Sequence, residues 1–250
     1  MTSPAVDDRR VRLYGVEVDA LTMDQSLDRA FELAGVGVPT QHVVLNAAKV
    51  VLMQKDARLR GIIAGCALVN ADGASVVWAS RLLGHPLPER VAGIDLFMRI
   101  VARSEDTGDS VFFLGATDHV LSSMLERFRR EFPDLRVAGA RNGYWDDDAE
   151  VVSAVRQAAP TFLFLAIPSP QKEYWLNSHL SELGVPFVMG VGGSFDVAAG
   201  KTKRAPLWMQ RIGCEWLFRL AQEPRRMWKR YLRGNTAFLL LTIAEWRRAR

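Results

Sequence analysis

Three apolar runs, at residues 111–114, 161–167 and 186–191, pass almost without polar interruption into a Gly- or Pro-bearing turn and then into a segment of helical spacing. A strand that is apolar on both faces must be covered on both. Strands of that kind alternating with helices form parallel α/β sheets. The first half of the chain repeats the theme with shorter strands, expected at 11–18, 42–46 and 67–69. Helices are expected at 23–34 (with Thr22 as N-cap), 49–54, 57–65, 74–83 and 93–104. A weaker strand is expected at 136–140, after a helix that opens at Gly115-Ala116-Thr117-Asp118 and runs to Phe132. The expected fold is a parallel, Rossmann-like sheet with helices on both faces.

Ligands of such sheets bind at the carboxyl ends of the strands. The loops at Asn46, Asp72 and Gly115, together with 168–171 and 190–193, therefore face one crevice. The boundary of this core is expected near Gly200, with two subdomains possible at about 1–105 and 106–200.

Charge sets the last fifty residues apart. Residues 201–250 hold thirteen Lys or Arg against Glu215, Glu223 and Glu245, a net of +10. The whole chain carries only +4, which leaves −6 for the first two hundred residues. Four of the seven tryptophans (Trp208, Trp216, Trp228 and Trp246) lie in the same stretch. This tail reads as helices broken at Pro206, Pro224 and Gly234, with Arg225, Lys229 and Arg233 on one face. Cations interleaved with Trp suit an anionic, partly apolar surface such as a lipid headgroup layer. Nucleic acid attracts the same cations, so the tail alone leaves both partners open. A solvated face packed on the core through its aromatics is the plainer alternative.

No apolar run approaches the roughly 18–20 residues that span a bilayer, and the opening MTSPAVDDRRVRLYG has no apolar signal-type stretch. The expectation is a cytoplasmic protein that lies on a membrane if it meets one. Cys66 and Cys214 stand far apart, which argues against a disulfide framework or a zinc site.

Several short motifs fail on inspection. Gly200-Lys201-Thr202 resembles the end of a phosphate-binding P-loop, but the Gly required five residues earlier is Phe195. The dinucleotide pattern begun at Gly190-Val191-Gly192 also fails at Phe195, although this Gly-rich turn still offers N–H groups to an anion. The acids at 146–148 precede a helix start, where capping explains them. His42, His85, His119 and His179 have no metal-ligand spacing. Asp72 follows a short strand and, taken alone, reads as a helix cap. A catalytic role would need it near an acceptor hydroxyl, with cations such as Arg90 near a leaving group.

Taken together, NADGASVVWASRLLG (70–84), PERVAGIDL (88–96), FFLG (112–115), GVGGSFD (190–196), AGKTKRAP (199–206), EWLFR (215–219) and EPRR (223–226) resemble the WecG/TagA/CpsF family of bacterial glycosyltransferases, in order and over almost the whole chain. The resemblance implies an inverting, metal-independent transfer. The sugar, of the N-acetylmannosamine type or its uronic acid, moves from a UDP-sugar to a polyprenyl-diphosphate-linked acceptor sugar on the inner face of the plasma membrane. Products of such enzymes enter teichoic acid linkage units, common antigen, capsule or exopolysaccharide.

Carried over residue by residue, the family's base falls on Asp72 and its donor-site residues on Asn46 and Arg90. Gly115, Gly192 and Gly193 belong to the donor side. Arg219, Arg225 and Arg226 belong to a basic appendage, residues 201–250, that closes over the site and touches the membrane. Neither cofactor nor metal is implied, and nucleic acid is not a partner.

Two departures from the family pattern bear on sugar specificity. Val44-Leu45-Asn46 lacks the usual Thr, and Pro170-Gln171-Lys172-Glu173 places Lys172 where Gln is usual in Pro-x-Gln-Glu, so either Gln171 or Lys172 takes the polar role. A tail that docks in cis or on a neighbouring copy leaves monomer and homo-oligomer both open. The competing class is a nucleotide-binding α/β protein without transferase activity, acting as a membrane-surface adaptor. That reading gives no role to Asp72 or Arg90.

Overall fold

The structure, a computed structural model, describes residues 10–211, 213–222 and 224–248. The side chains of 211, 219, 224–227 and 229–233 lie outside that description. Six strands form one parallel sheet: β3 (Thr40–Leu45), β4 (Leu68–Ala71), β5 (Ser110–Gly115), β6 (Arg136–Arg141), β7 (Phe162–Ala166) and β8 (Phe187–Gly190). Their order is β4-β3-β8-β7-β5-β6. The expected parallel α/β core is present. The strand that read weakest from sequence, β6, is an edge strand with no buried residue, while every residue of β7 is buried.

Side chains along the central strands alternate between two apolar layers, which is why those strands read as unbroken apolar runs. Val111, Phe113, Phe162 and Phe164 pack with α1 (Met23–Val36), α5 (Gly93–Thr107) and α6 (Asp118–Glu131). Phe112, Leu114, Leu163 and Leu165 pack with α7 (Asp148–Ala158) and α8 (Gln171–Leu183) on the other face. A third cluster joins β3 and β4 to α2 (Ala47–Met53), α3 (Ala57–Ala64) and α4 (Ala74–Leu82). Thr22 caps α1 as expected, in a reciprocal capping box with Gln25.

Two expectations are corrected. The strand expected at 11–18 is a hairpin, β1 (Arg10–Leu13) and β2 (Val16–Asp19). Tyr14 and Gly15 turn it with φ of 53° and 86°, the double positive φ of a tight two-residue turn. A period of two is the same in one long strand and in two paired ones, so alternation alone could not locate the turn.

The second correction is in the tail, where α9 (Ser194–Ala198) is followed by α10 (Leu207–Arg211), α11 (Glu215–Gln222) and α12 (Pro224–Arg248). Helix α12 runs through Gly234 rather than breaking there. An interior Gly costs a helix about 1 kcal/mol, and packing beyond it offsets that cost. Phe238 and Thr242 are buried, the Phe238 ring lies 5.5 Å from that of Tyr14, and the hydroxyls of Tyr14 and Thr242 are 2.7 Å apart. Pro224 fits because the first helical position needs no N–H donor. The carboxyl-terminal half of α12 is thus part of the core packing, against α2 and the hairpin.

Candidate active site

Strands β3 and β4 end in register, Leu45 opposite Ala71. The next residues, Asn46 and Asp72, therefore leave the sheet side by side, and the Asp72 amide donates to the Leu45 carbonyl at 2.8 Å. Asn46 caps α2, its Oδ1 accepting from the Lys49 amide at 3.0 Å. Asp72 does not cap α4. Gly73 holds that position, with no side-chain cap. The plainer reading of Asp72 as a cap is thereby removed. Its side chain, 30% exposed, lies 3.6 Å from Arg90 Nε.

Arg90 sits on the segment that returns from α4 to α5, fixed by the Val91 amide donating to the Ala71 carbonyl at 2.9 Å. Its Nη2 donates to Glu215 Oε2 at 2.8 Å, and its Nη1 reaches the Gln210 carbonyl at 3.5 Å. Both acceptors belong to the tail. Gly213, between α10 and α11, has φ +75°, and a Cβ there would stand 2.4 Å from the Ala74 Cβ. Only a residue without a side chain lets the tail approach the start of α4 so closely.

On the other flank of β3, β8 ends at Gly190 and the chain turns through Gly192 and Gly193 into α9. Lys172 crosses to this turn from α8. Its Nζ donates to the Gly190 carbonyl at 2.8 Å and lies 3.6 Å from the position of a Cβ on Gly192. Gln171, one residue earlier, is exposed at the helix start.

Beneath Lys172 lies a buried pair that sequence reasoning assigned no role. Glu173 Oε1 accepts from Lys49 Nζ at 2.7 Å, and Glu173 Oε2 accepts from the Ser169 hydroxyl at 2.8 Å. Burial pushes the Lys172 ammonium down to about 8; the like charge of Lys49 adds to this, while Glu173 and Asp72 oppose it. Burial pushes the Glu173 carboxyl up, but Lys49 and Lys172 outweigh it and hold the group below the usual range. A lone Lys in the apolar stretch AAKVVLM, and Glu215 as one of three acids in a strongly basic tail, were the signals that could have found these residues.

Asn46, Asp72, Arg90, Lys172 and Gly192 thus gather at the ends of β3, β4 and β8. Gly115 does not join them directly. It ends β5, three strands from β3, about 14 Å at the usual strand spacing. A Cβ there would stand 2.6 Å from the Ala166 carbonyl oxygen, so strand packing alone demands a glycine. Arg219, Arg225 and Arg226 have side chains outside the described residues.

Of the acids at 146–148, Asp147 caps α7, its Oδ1 accepting from the Ala149 amide at 2.8 Å. Asp148 accepts from the indoles of Trp145 and Trp175 at 2.7 and 2.6 Å. Among the described residues, no group of three or more His, Cys, Asp or Glu is disposed to hold a metal ion, and no helix is long and apolar enough to cross a membrane.

A carboxylate beside an arginine, with a second cation across the crevice, can accept a proton while charge on a departing anion is compensated. Comparison with known proteins bears on which reaction that is. Residues 11–250 match the family described as glycosyl transferase WecG/TagA/CpsF. Over 175 residues the chain is 35% identical to the N-acetylglucosaminyldiphosphoundecaprenol N-acetyl-beta-D-mannosaminyltransferase of Bacillus spizizenii, covering 70% of this chain and 68% of that protein. It is 33% identical over 178 residues to the enzyme of the same name from Bacillus subtilis, covering 71% and 69%.

Proposed function

The chain belongs to the WecG/TagA/CpsF family of glycosyl transferases, and we propose that it moves an N-acetylmannosamine-type sugar from UDP to a polyprenyl-diphosphate-linked N-acetylglucosamine, with inversion and without a resident metal. The observation that carries this reading is the placement of Asp72 beside Arg90 at the ends of β3 and β4, under the tail.

In the reaction, an acceptor hydroxyl oxygen attacks C1 of the donor sugar from the face opposite UDP. The bond between C1 and the diphosphate oxygen breaks, and its electron pair leaves with UDP. Asp72 takes the hydroxyl proton, a role of a kind worth roughly 10²–10⁴ in rate. Charge growing on the departing diphosphate falls to Arg90 and Lys172, to the N–H groups of the Gly192-Gly193 turn, and to Arg219, Arg225 and Arg226 of the tail. Asn46 binds the donor through its amide nitrogen, since its oxygen is engaged by α2. Gln171, exposed at the start of α8, flanks the same turn, and Gly115 bounds the far end of the crevice.

A lipid-linked acceptor accounts for the tail's surface. Leu207, Trp208, Trp216, Leu217 and Trp228 are exposed on it, among cations each worth about 1 kcal/mol near an anionic membrane. The protein then works as a peripheral enzyme on the inner membrane face.

The test is incubation with a short-chain lipid-diphospho-N-acetylglucosamine and a panel of UDP-sugars, with and without chelator. A product larger by one sugar, formed equally with chelator, is the expected result. Transfer abolished by chelator and restored by a divalent cation would refute the metal-free mechanism. Failure of every UDP-sugar to react would refute the donor assignment.

A further inference from the structure

The Glu215 side chain joins the tail to the candidate active site. Glu215 opens α11 and is buried, although it comes from the most basic stretch of the chain. Its Oε2 accepts from Arg90 Nη2 at 2.8 Å, and its Oε1 lies 3.6 Å from Arg204 Nε. Arg204 in turn grips Asp95 of α5 with both terminal nitrogens, Nη2 at 2.7 Å from Oδ2. Charges therefore alternate along a line, from Asp72 to Arg90, Glu215, Arg204 and Asp95. The line leaves the sheet's end, passes through the tail and returns to the core.

Arg90 and Glu215 are only 17% and 12% exposed, so each would be costly there without the other. A guanidinium is a rigid planar fork. With Nη2 held by Glu215 and Nη1 by the Gln210 carbonyl, only the Nε edge is turned toward Asp72, at 3.6 Å rather than in a close ion pair.

We infer that Glu215 is a positioning residue: it holds Arg90 back from a two-pronged pairing with Asp72, and so couples the seating of the tail to the assembly of the active site. The inference rests on the roles proposed above for Asp72 and Arg90. Without Glu215, the fork is free to rotate onto Asp72 and bind it bidentately. A two-pronged ion pair with Arg90 then competes with the acceptor hydroxyl for the carboxylate. Donor contacts at Lys172 and the Gly192 turn are left in place, so the loss falls on kcat rather than on KM.

The experiment compares Glu215→Ala, Glu215→Gln, Arg90→Ala and the Glu215→Ala/Arg90→Ala double variant in the transfer assay, each checked for an unchanged melting profile. Glu215→Ala is expected to lower kcat by about tenfold to a hundredfold, the scale of a misplaced catalytic group, with donor KM within about threefold. Glu215→Gln, which keeps an acceptor oxygen for Arg90, recovers part of the loss. The double variant costs no more than Arg90→Ala alone, because both changes disable one unit. A kcat unchanged in Glu215→Ala, a rise in KM at constant kcat, or costs that multiply in the double variant would overturn the inference.

Limited proteolysis supplies a readout that needs no turnover. Cleavage within residues 201–223 is expected to quicken in Glu215→Ala and to stay at the wild-type rate in Asp72→Asn. Equal cleavage of Glu215→Ala and wild type removes the coupling. Quickened cleavage in a preparation whose wild type transfers nothing keeps the coupling and strikes only the roles given to Asp72 and Arg90.

Discussion

Lys49 Nζ lies 2.7 Å from Glu173 Oε1, with the two side chains 4% and 2% exposed. The same carboxylate oxygen is 3.9 Å from Lys172 Nζ, so one buried anion serves two buried cations beneath the candidate donor site. The pair joins α2, which Asn46 caps, to α8, which carries Lys172, and so ties together two walls of the crevice.

Removing the shared anion leaves two ammonium groups uncompensated. Glu173→Gln is expected to destabilise the fold by about 3–5 kcal/mol, read as a lowered urea midpoint at constant slope. Replacing the Lys49–Glu173 pair together by Met and Leu is expected to cost less than Glu173→Gln alone, because no lone charge is then buried. A cost below about 1 kcal/mol for Glu173→Gln would mean that water reaches the cluster.

His42 gives the fold a defined response to acid. Burial, opposed by the hydrogen bond to the Asn70 side-chain oxygen and reinforced by Lys49 and Lys172, lowers its imidazole from 6.5 to about 3. Its Nε2 lies 3.0 Å from Asn70 Oδ1, and Asn70 Nδ2 donates to Ser26 at 2.9 Å. Below pH 6.5 the unfolded chain takes up a proton that the folded chain refuses. Stability from this group is therefore present above 6.5 and falls as pH drops from 6.5 toward 3, by up to about 1.4 kcal/mol per unit. His42→Gln should show a shallower loss over that window in denaturant titrations at successive pH values. Identical slopes would place the imidazole in contact with solvent.

At Gly213 a side chain has no room. Gly213→Val would press on Ala74 from a backbone with φ +75°, a conformation that a β-branched residue strongly resists. The expected result is faster proteolysis of the tail and transfer reduced about tenfold or more, the scale of a displaced catalytic constellation, with the melting temperature of the core nearly kept. Wild-type activity in this variant would show that the seated tail is not needed for turnover.

Vesicle binding should be electrostatic and aromatic together. Cosedimentation with vesicles rich in anionic phospholipid is expected to fall steeply between about 0.1 and 0.5 M salt as the Debye length shrinks, and to weaken in Trp208→Glu. Equal binding to neutral vesicles would assign the tail to another partner.

How much of this was legible in the chain varies with the physics behind each feature. The order of strands and helices was readable, because strands buried on both faces appear as unbroken apolar runs. The Tyr14-Gly15 turn was hidden inside a continuous alternation. Gly234 read as a break because local propensity speaks against helix there, and packing at Phe238 and Thr242 overrides it. Asn46, Asp72 and Arg90 were reached through family likeness; their spacing alone reads equally as caps and surface ion pairs. Lys49 and Glu173 are 124 positions apart. A contact of that range has no local pattern, and the oddity of a Lys among apolar neighbours is a signal that sequence reasoning passed over.

The most direct test of the central claim is kcat for sugar transfer in Asp72→Asn, measured beside UDP affinity in the same preparation. Asn keeps the shape and loses the base. A fall in kcat of roughly 10²–10⁴, with UDP bound as tightly as by wild type, is the expected result. A kcat within about threefold of wild type would show that another group takes the acceptor proton, and would contradict the assignment of Asp72.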